Sequence, residues 1–148
     1  MVPFLTALAL GYLLGSIPWA YVITKGVKRV DIRQQGSGNV GASNVFRVVG
    51  KKWGLLVLCL DVLKGSLAVS VIAPLFYARE PLFSELLYAF LVGLAAIAGH
   101  NWTVFLNFRG GKGVATSLGV SLAVLPGAAL ASLGVWIGAV VKSEDKIV

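Results

Sequence analysis

The stretch "QQGSGNVGASNVFR", Gln34 to Arg47, decides what kind of fold this chain can adopt. It contains the spacing Gly36-x-Gly38-x-x-Gly41, which matches a dinucleotide fingerprint. That fingerprint works only between a strand and a helix of a βαβ unit, where glycines let the pyrophosphate approach a helix N-terminus. Here "VDIRQQ" precedes it and an apolar run of membrane length follows. The context removes the nucleotide reading. A second glycine-rich stretch, "GGKG" at Gly110 to Gly113, fails as a Walker A loop. The first glycine of that motif would fall on Leu106, and Lys112 is followed by Gly113 rather than Ser or Thr. A kinase or ATPase is excluded on these grounds.

Composition sets the alternative. The chain has 148 residues, of which 57% are hydrophobic and 13% charged, and its mean hydropathy is +0.86. A soluble domain is nearer about half apolar and about a quarter charged. The net charge of +7 is gathered between apolar runs. That pattern fits an anionic membrane leaflet and an anionic substrate, not a polar nucleic-acid module. The single cysteine, Cys59, sits in an apolar run and reads as a buried small hydrophobe.

Four apolar stretches organise the chain. The first, about Val2 to Ile23, is uncharged and places Gly11 and Gly15 four apart, a small-residue face for a second helix. It lacks the basic start and cleavage site of a signal peptide, and reads as a transmembrane helix. The segment Lys25 to Lys52 carries Lys25, Lys28, Arg29, Arg33, Arg47, Lys51 and Lys52 against Asp31 alone. It is placed in the cytoplasm, which puts the N-terminus outside. The second run, Trp53 to Tyr77, carries Asp61 and Lys64. The third is about Leu86 to Leu106. The last, Val114 to Val141, is too long for one helix across a hydrocarbon core of about 30 Å. Pro126-Gly127 near its middle predicts two short helices that return the tail "KSEDKIV" to the cytoplasm; a single kinked helix is the other reading. The expected fold is all-α and multi-pass, with about five transmembrane helices in one membrane-embedded domain, residues 1–148.

Both glycine-rich segments then lie on the cytoplasmic side. Glycine allows positive φ and close backbone approach, so the amides of Gly36, Gly38 and Gly41, and of Gly110, Gly111 and Gly113, can cradle an anion. Ser37, Asn39, Ser43 and Asn44 add side-chain donors, and Arg47 and Lys112 add charge. A helix starting near Val114 would aim its amides at the same anion. Asp61 and Lys64, three apart, share one helix face; they form a structural ion pair or support the anion site. His100, the sole histidine, is open to two roles, general base or loop orientation. One His and one Cys cannot build an ordinary soft-ligand metal site. The sequon Asn101-Trp102-Thr103 is coincidental at this depth.

Together "GSGNVGASN" with Arg47, "DVLKG", and "GHNWTVFLNFRGGKGVAT" resemble the bacterial membrane glycerol-3-phosphate acyltransferases that use acyl phosphate as donor. The resemblance runs along the whole chain. It implies transfer of a fatty acyl group to the 1-hydroxyl of sn-glycerol 3-phosphate, giving lysophosphatidate and phosphate, the first acylation of phospholipid synthesis. It implies a multi-pass protein of the bacterial inner membrane, among membrane lipids, with no cofactor, no metal and no nucleic-acid partner. It further implies that Ser37, Gly38 and Asn39, with the "GGKG" loop, hold the acyl-phosphate head. Arg47 and Lys112 would neutralise phosphate charge, and Asp61, Lys64 and His100 would assist. The acyl donor is already activated, so positioning and charge stabilisation suffice.

Ser43 stands where the family often has Thr, and Thr103 where it usually has Pro. Family members are also longer, with a third motif, rich in Ser and Leu, expected where this sequence reads "VKSEDKIV". Either the chain is a shortened product, or a partner or a second copy in a homodimer supplies that wall. Two other classes share parts of this pattern. One is a non-catalytic membrane protein that keeps phosphate or lipid binding. The other, an anion transporter, would need broken helices at the midplane rather than glycine loops at helix ends.

Overall fold

A computed structural model of the chain describes residues 1–82 and 84–144, with side chains to Val135. The expectation for the tail reaches 145–148, outside the described residues. The described chain is helical throughout, with eight α-helices and short irregular connections. Three helical spans are long and apolar enough to cross a membrane: Val2–Lys28, Lys51–Tyr77 and Glu85–Leu106.

The first span is longer than the sequence suggests, and it is broken. Helix α1, Val2–Ser16, stops before Pro18, and α2, Trp19–Lys28, starts after it. Proline has no N–H to give and its ring collides with the carbonyl four residues back. Ile17 adopts ψ 113°, the extended setting favoured before proline. Helix α2 ends with Lys25 and Lys28 in its last turn and Arg29 left-handed at φ 58°, a charge pattern that suits the negative helix terminus. After a short helix α3, Ala42–Val48, the second span runs from α4, Lys51–Leu67, through a π-helical turn at Ala68–Ile72 into α5, Ala73–Tyr77. Pro74 cannot donate to Ser70, and the widened turn absorbs the mismatch. Helix α6, Glu85–Asn101, is capped by the Ser84 hydroxyl accepting from the Leu87 amide at 3.3 Å.

The last apolar run divides as expected, one residue early. Helix α7, Val114–Val124, ends at Leu125, and α8, Pro126–Glu144, begins with Pro126 at its first position. Helix α7, with 11 residues, is too short to count among the three long spans.

Small residues set the packing. A methyl group on Gly11 or Gly15 of α1 would meet the carbonyls of Val92 or Ala96 on α6, and one on Gly99 would meet Tyr12 of α1. Gly65 and Gly119 do the same for α4 and α7, against Thr116 and Val62. Backbones this close gain dispersion and need no apolar side chain between them. One core holds Ala7, Ala68, Ala73, Tyr88, Val92 and Ala96, with Phe4 and Tyr77 edge-on to Tyr88 at 5.1 and 5.5 Å. A second, with Ala20, Ile32, Val40, Val45, Val57 and Leu106, underlies the first glycine-rich loop. Leucines such as Leu5, Leu13, Leu55, Leu63, Leu75 and Leu86 point outward, and so does Cys59 of α4, which was expected to be buried. A helical surface of that kind suits lipid rather than water.

Candidate active site

The first loop is hung on one side chain. Asn44, buried on α3, donates through Nδ2 toward the carbonyls of Ile32 at 3.2 Å, Gln35 at 2.9 Å and Asn39 at 3.1 Å. Its Oδ1 accepts from the Ser37 amide at 3.0 Å. Gly36 and Gly38 hold φ of 57° and 71°, the left-handed region where a Cβ costs strain. The loop is therefore a built structure, not a linker. Asn44 was expected among the phosphate ligands. Its amide is instead fully engaged inside the loop and has nothing left for a substrate.

The second loop is tied back onto the end of α6. Asn107 and Phe108 are both left-handed and turn the chain round. The Gly110 amide then donates to the Asn101 carbonyl, and the Gly111 amide to the His100 carbonyl, each at 3.0 Å. These two amides were expected to cradle an anion. Here each is bonded to a carbonyl at the end of α6. The need for glycine has another cause: a Cβ on Gly111 would strike the His100 ring and the Val40 carbonyl, and one on Gly110 the His100 carbonyl. Gly113, at φ 74°, caps α7.

Beneath the loops lies a buried polar cluster. Lys64 Nζ is 2.9 Å from Asp61 Oδ1, and both side chains are 2% exposed. Lys64 also donates to the Ile17 carbonyl at 3.1 Å, a group freed by the Pro18 break. Asp61 Oδ1 faces His100 Nδ1 at 3.6 Å, too long for a hydrogen bond. The Asp61–Lys64 contact is ionic rather than a well-aligned hydrogen bond, since that oxygen has no correctly angled donor. Thr103 completes the cluster: it donates to the Ser16 carbonyl at 2.5 Å and accepts from the Phe105 amide at 3.2 Å. The loop after His100 is thus closed with Thr at this position.

Where the two loops meet, a cavity of about 310 Å³ opens. Asn39, Gly41 and Ser43 line it from the first loop, Lys112 and Gly113 from the second, with His100 and Asp61 at its floor. Leu58, Val114, Ala115 and Leu118 continue it between α4 and α7. One end is polar and the other apolar. Ser37 and Arg47 are exposed and do not line it. Arg47 follows Ser43 by one turn and so shares its face of α3.

A second cavity, about 380 Å³, is lined by Asp31, Arg33, Gln34, Gly38, Val40, Arg109 and Gly110. Sequence reasoning passed over its arginines. Arg33 grips Asp31 through Nε and Nη2, with Nη2 at 2.7 Å, and lies over the Tyr21 ring at 5.4 Å. That fork holds the Asp31 carboxyl below the usual carboxylate range. The only available signal was position, since Arg33 and Arg109 each fall shortly before a glycine-rich loop.

A family model described as glycerol-3-phosphate acyltransferase matches residues 5–146. A glycerol-3-phosphate acyltransferase of Dehalococcoides mccartyi (strain CBDB1) is 48% identical over 130 residues, which cover 88% of this chain and 53% of that protein. One from Thermoanaerobacter pseudethanolicus is 45% identical, covering 97% and 68%. The crystal structure of PlsY (YgiH), an integral membrane glycerol 3-phosphate acyltransferase in its glycerol 3-phosphate form, aligns with TM-score 0.78 at 47% identity. That alignment covers 92% of this chain and 64% of the other. The lysophosphatidic acid form aligns at 0.74. The chain spans between half and about two thirds of the length of these relatives.

Proposed function

This chain belongs to the glycerol-3-phosphate acyltransferase family, and from that premise we propose that it carries the acyl-transfer site of such an enzyme. The donor is acyl phosphate and the acceptor is the 1-hydroxyl of sn-glycerol 3-phosphate. The observation that carries this reading is the cavity between the loops, whose polar end holds Asn39, Ser43 and Lys112 and whose apolar end runs along Leu58 and Leu118. A phosphate bearing an acyl chain needs both ends.

Lys112 supplies charge to the transferring phosphate, and the amides opening α7 add the helix N-terminal field. Asn39 and Ser43 offer donors, and Arg47, on the same face of α3 as Ser43, adds charge. Ser37 stands exposed on the same loop, facing an acceptor that approaches from the cytoplasm. Gly36, Gly38, Gly41 and Asn44 shape the first loop. Gly110, Gly111 and His100 fix the second, and the Asp61–Lys64 pair lies beside His100. His100 acts as a positioning residue, since its two ring nitrogens face Asp61 and the Gly111 backbone.

In the reaction the acceptor oxygen bonds to the acyl carbon as the carbon–oxygen bond to phosphate breaks. The hydroxyl proton passes to the phosphate, so no separate base is required. Products are lysophosphatidate and inorganic phosphate. The basic Lys25–Lys52 segment supports a cytoplasmic face for both loops, an external N-terminus, and residence in a bacterial cell membrane. Residues 1–148 act as one embedded domain.

The test is turnover of a long-chain acyl phosphate with glycerol 3-phosphate by the purified chain, read as lysophosphatidate formed. Lys112→Ala should lower kcat/KM by about 10²–10³. Near wild-type transfer in that variant removes Lys112 from the site. Absence of lysophosphatidate from a folded chain that still binds phosphate overturns the transferase reading in favour of a phosphate-binding membrane protein.

A further inference from the structure

The arginine cavity shares no lining residue with the cavity assigned to acyl transfer. A small enclosed pocket lies between them. That pocket borrows Val40 and Gly110 from one side and Asp61 and His100 from the other.

Its charge is built, and it is unbalanced. Asp31 neutralises Arg33 and, with Tyr21, holds its guanidinium still. Arg109 forms no ion pair among the described residues. One net positive charge therefore faces the cavity, and Arg109 brings the free planar N–H donors that match phosphate oxygens, since Nε and Nη2 of Arg33 are engaged by Asp31. Gln34 adds a side-chain amide to the lining. Trp102, Phe105 and Phe108, beside Arg109, are 59%, 59% and 60% exposed. Aromatics with that exposure next to a basic residue mark the depth where lipid headgroups meet water.

We propose that Arg33 and Arg109 form a second anion site for a phosphate monoester, separate from the acyl-transfer cavity. Arg33 leads into the first glycine-rich loop and Arg109 into the second, so the bound anion bridges the two loops and stabilises the arrangement that binds it. Free phosphate or glycerol 3-phosphate from water, and a phosphomonoester lipid headgroup, present the same chemistry.

The experiment uses the full chain in phosphatidylcholine nanodiscs without phosphate buffer. Phenylglyoxal modification of Arg109 is followed by peptide mass spectrometry, in wild type and in Lys112→Ala, where the acyl-transfer cavity has lost its cation. Inorganic phosphate should slow modification of Arg109 in both proteins. Arg33→Gln should raise the half-protecting phosphate concentration about tenfold. Asp31→Asn, which keeps an acceptor for the Arg33 amide but removes the competing carboxylate, should lower it. That sign is opposite to the effect of simple loop damage. Nanodiscs doped with phosphatidate separate the sources: protection without free phosphate assigns a lipid headgroup, and protection by free phosphate alone assigns an aqueous anion. Arg109 modified at one rate under all these conditions, or protection weakened by Asp31→Asn, overturns the site. The readout does not depend on turnover, so it stands or falls apart from the transferase reading.

Discussion

Asn44→Ala removes the side chain from which the first glycine-rich loop hangs. Two amide hydrogens are shared among the Ile32, Gln35 and Asn39 carbonyls, and one oxygen takes the Ser37 amide. That is three hydrogen bonds at most. The bond to Ile32 is buried and the others are partly buried. At about 1 kcal/mol net for each, the local cost is about 3 kcal/mol. Opening of the loop should then rise roughly a hundredfold. Hydrogen exchange reads this directly, because the Ser37 amide donates to the deleted oxygen. Its exchange should accelerate by about that factor without any substrate present, while amides within α6 keep their rates. Asn44→Asp is the sharper variant. It keeps the acceptor for Ser37 but sets a carboxylate against three carbonyl oxygens, so it should be at least as damaging at neutral pH. Unchanged Ser37 exchange in Asn44→Ala would refute the architectural role and return Asn44 to the list of phosphate ligands.

Lys64→Met leaves the Asp61 carboxylate buried without a counter-charge and should cost about 3–5 kcal/mol in detergent unfolding. Lys64→Met with Asp61→Asn should recover most of that loss, and strictly additive losses would contradict the pairing. Gly15→Ala drives a methyl into the Ala96 carbonyl and should destabilise by about 1–3 kcal/mol. Gly26→Ala, in α2 with open space around it, should instead stabilise by up to about 1 kcal/mol. Equal melting shifts for the two glycine variants would show that close helix contact is not the cause.

Much of this was legible in the residues because it depends on local pattern. Hydropathy located the apolar runs, Pro126 divided the last one, and Gly11 and Gly15 marked the contact face of α1. The spacing of Asp61 and Lys64 gave their ion pair. Other features depend on where a group points in three dimensions. Pro18 carried the signal for the first break, but it was submerged in an apolar run read as one helix. The two glycine loops were matched to an anion by composition. Yet a glycine amide can face a ligand or a carbonyl, and nothing in "GGKG" says which. The basic residues show the same limit. Arg47 was singled out because it follows the first loop, whereas Arg33 and Arg109 line a cavity because the chain turns before each loop. Gly65 and Gly119 gave no local hint, since they meet residues more than fifty positions away.

The loops sit where they do because two interrupted helices satisfy each other. Irregular backbone at membrane depth needs internal partners, since lipid offers none. The break at Pro18 frees the Ser16 and Ile17 carbonyls, and Thr103 and Lys64 take them. The end of α6 frees the His100 and Asn101 carbonyls, and Gly111 and Gly110 take those. Tyr12 donates to the Trp102 carbonyl at 2.6 Å and ties the two interruptions together. The double glycine therefore answers first to the backbone of α6. In the proposed site, recognition of phosphate would be left to groups that this pairing does not consume: Lys112, the amides at the start of α7, Asn39 and Ser43. Those are the groups that line the cavity between the loops. The polar cluster beneath them is the means by which a helix break near residue 17 fixes a loop near residue 111.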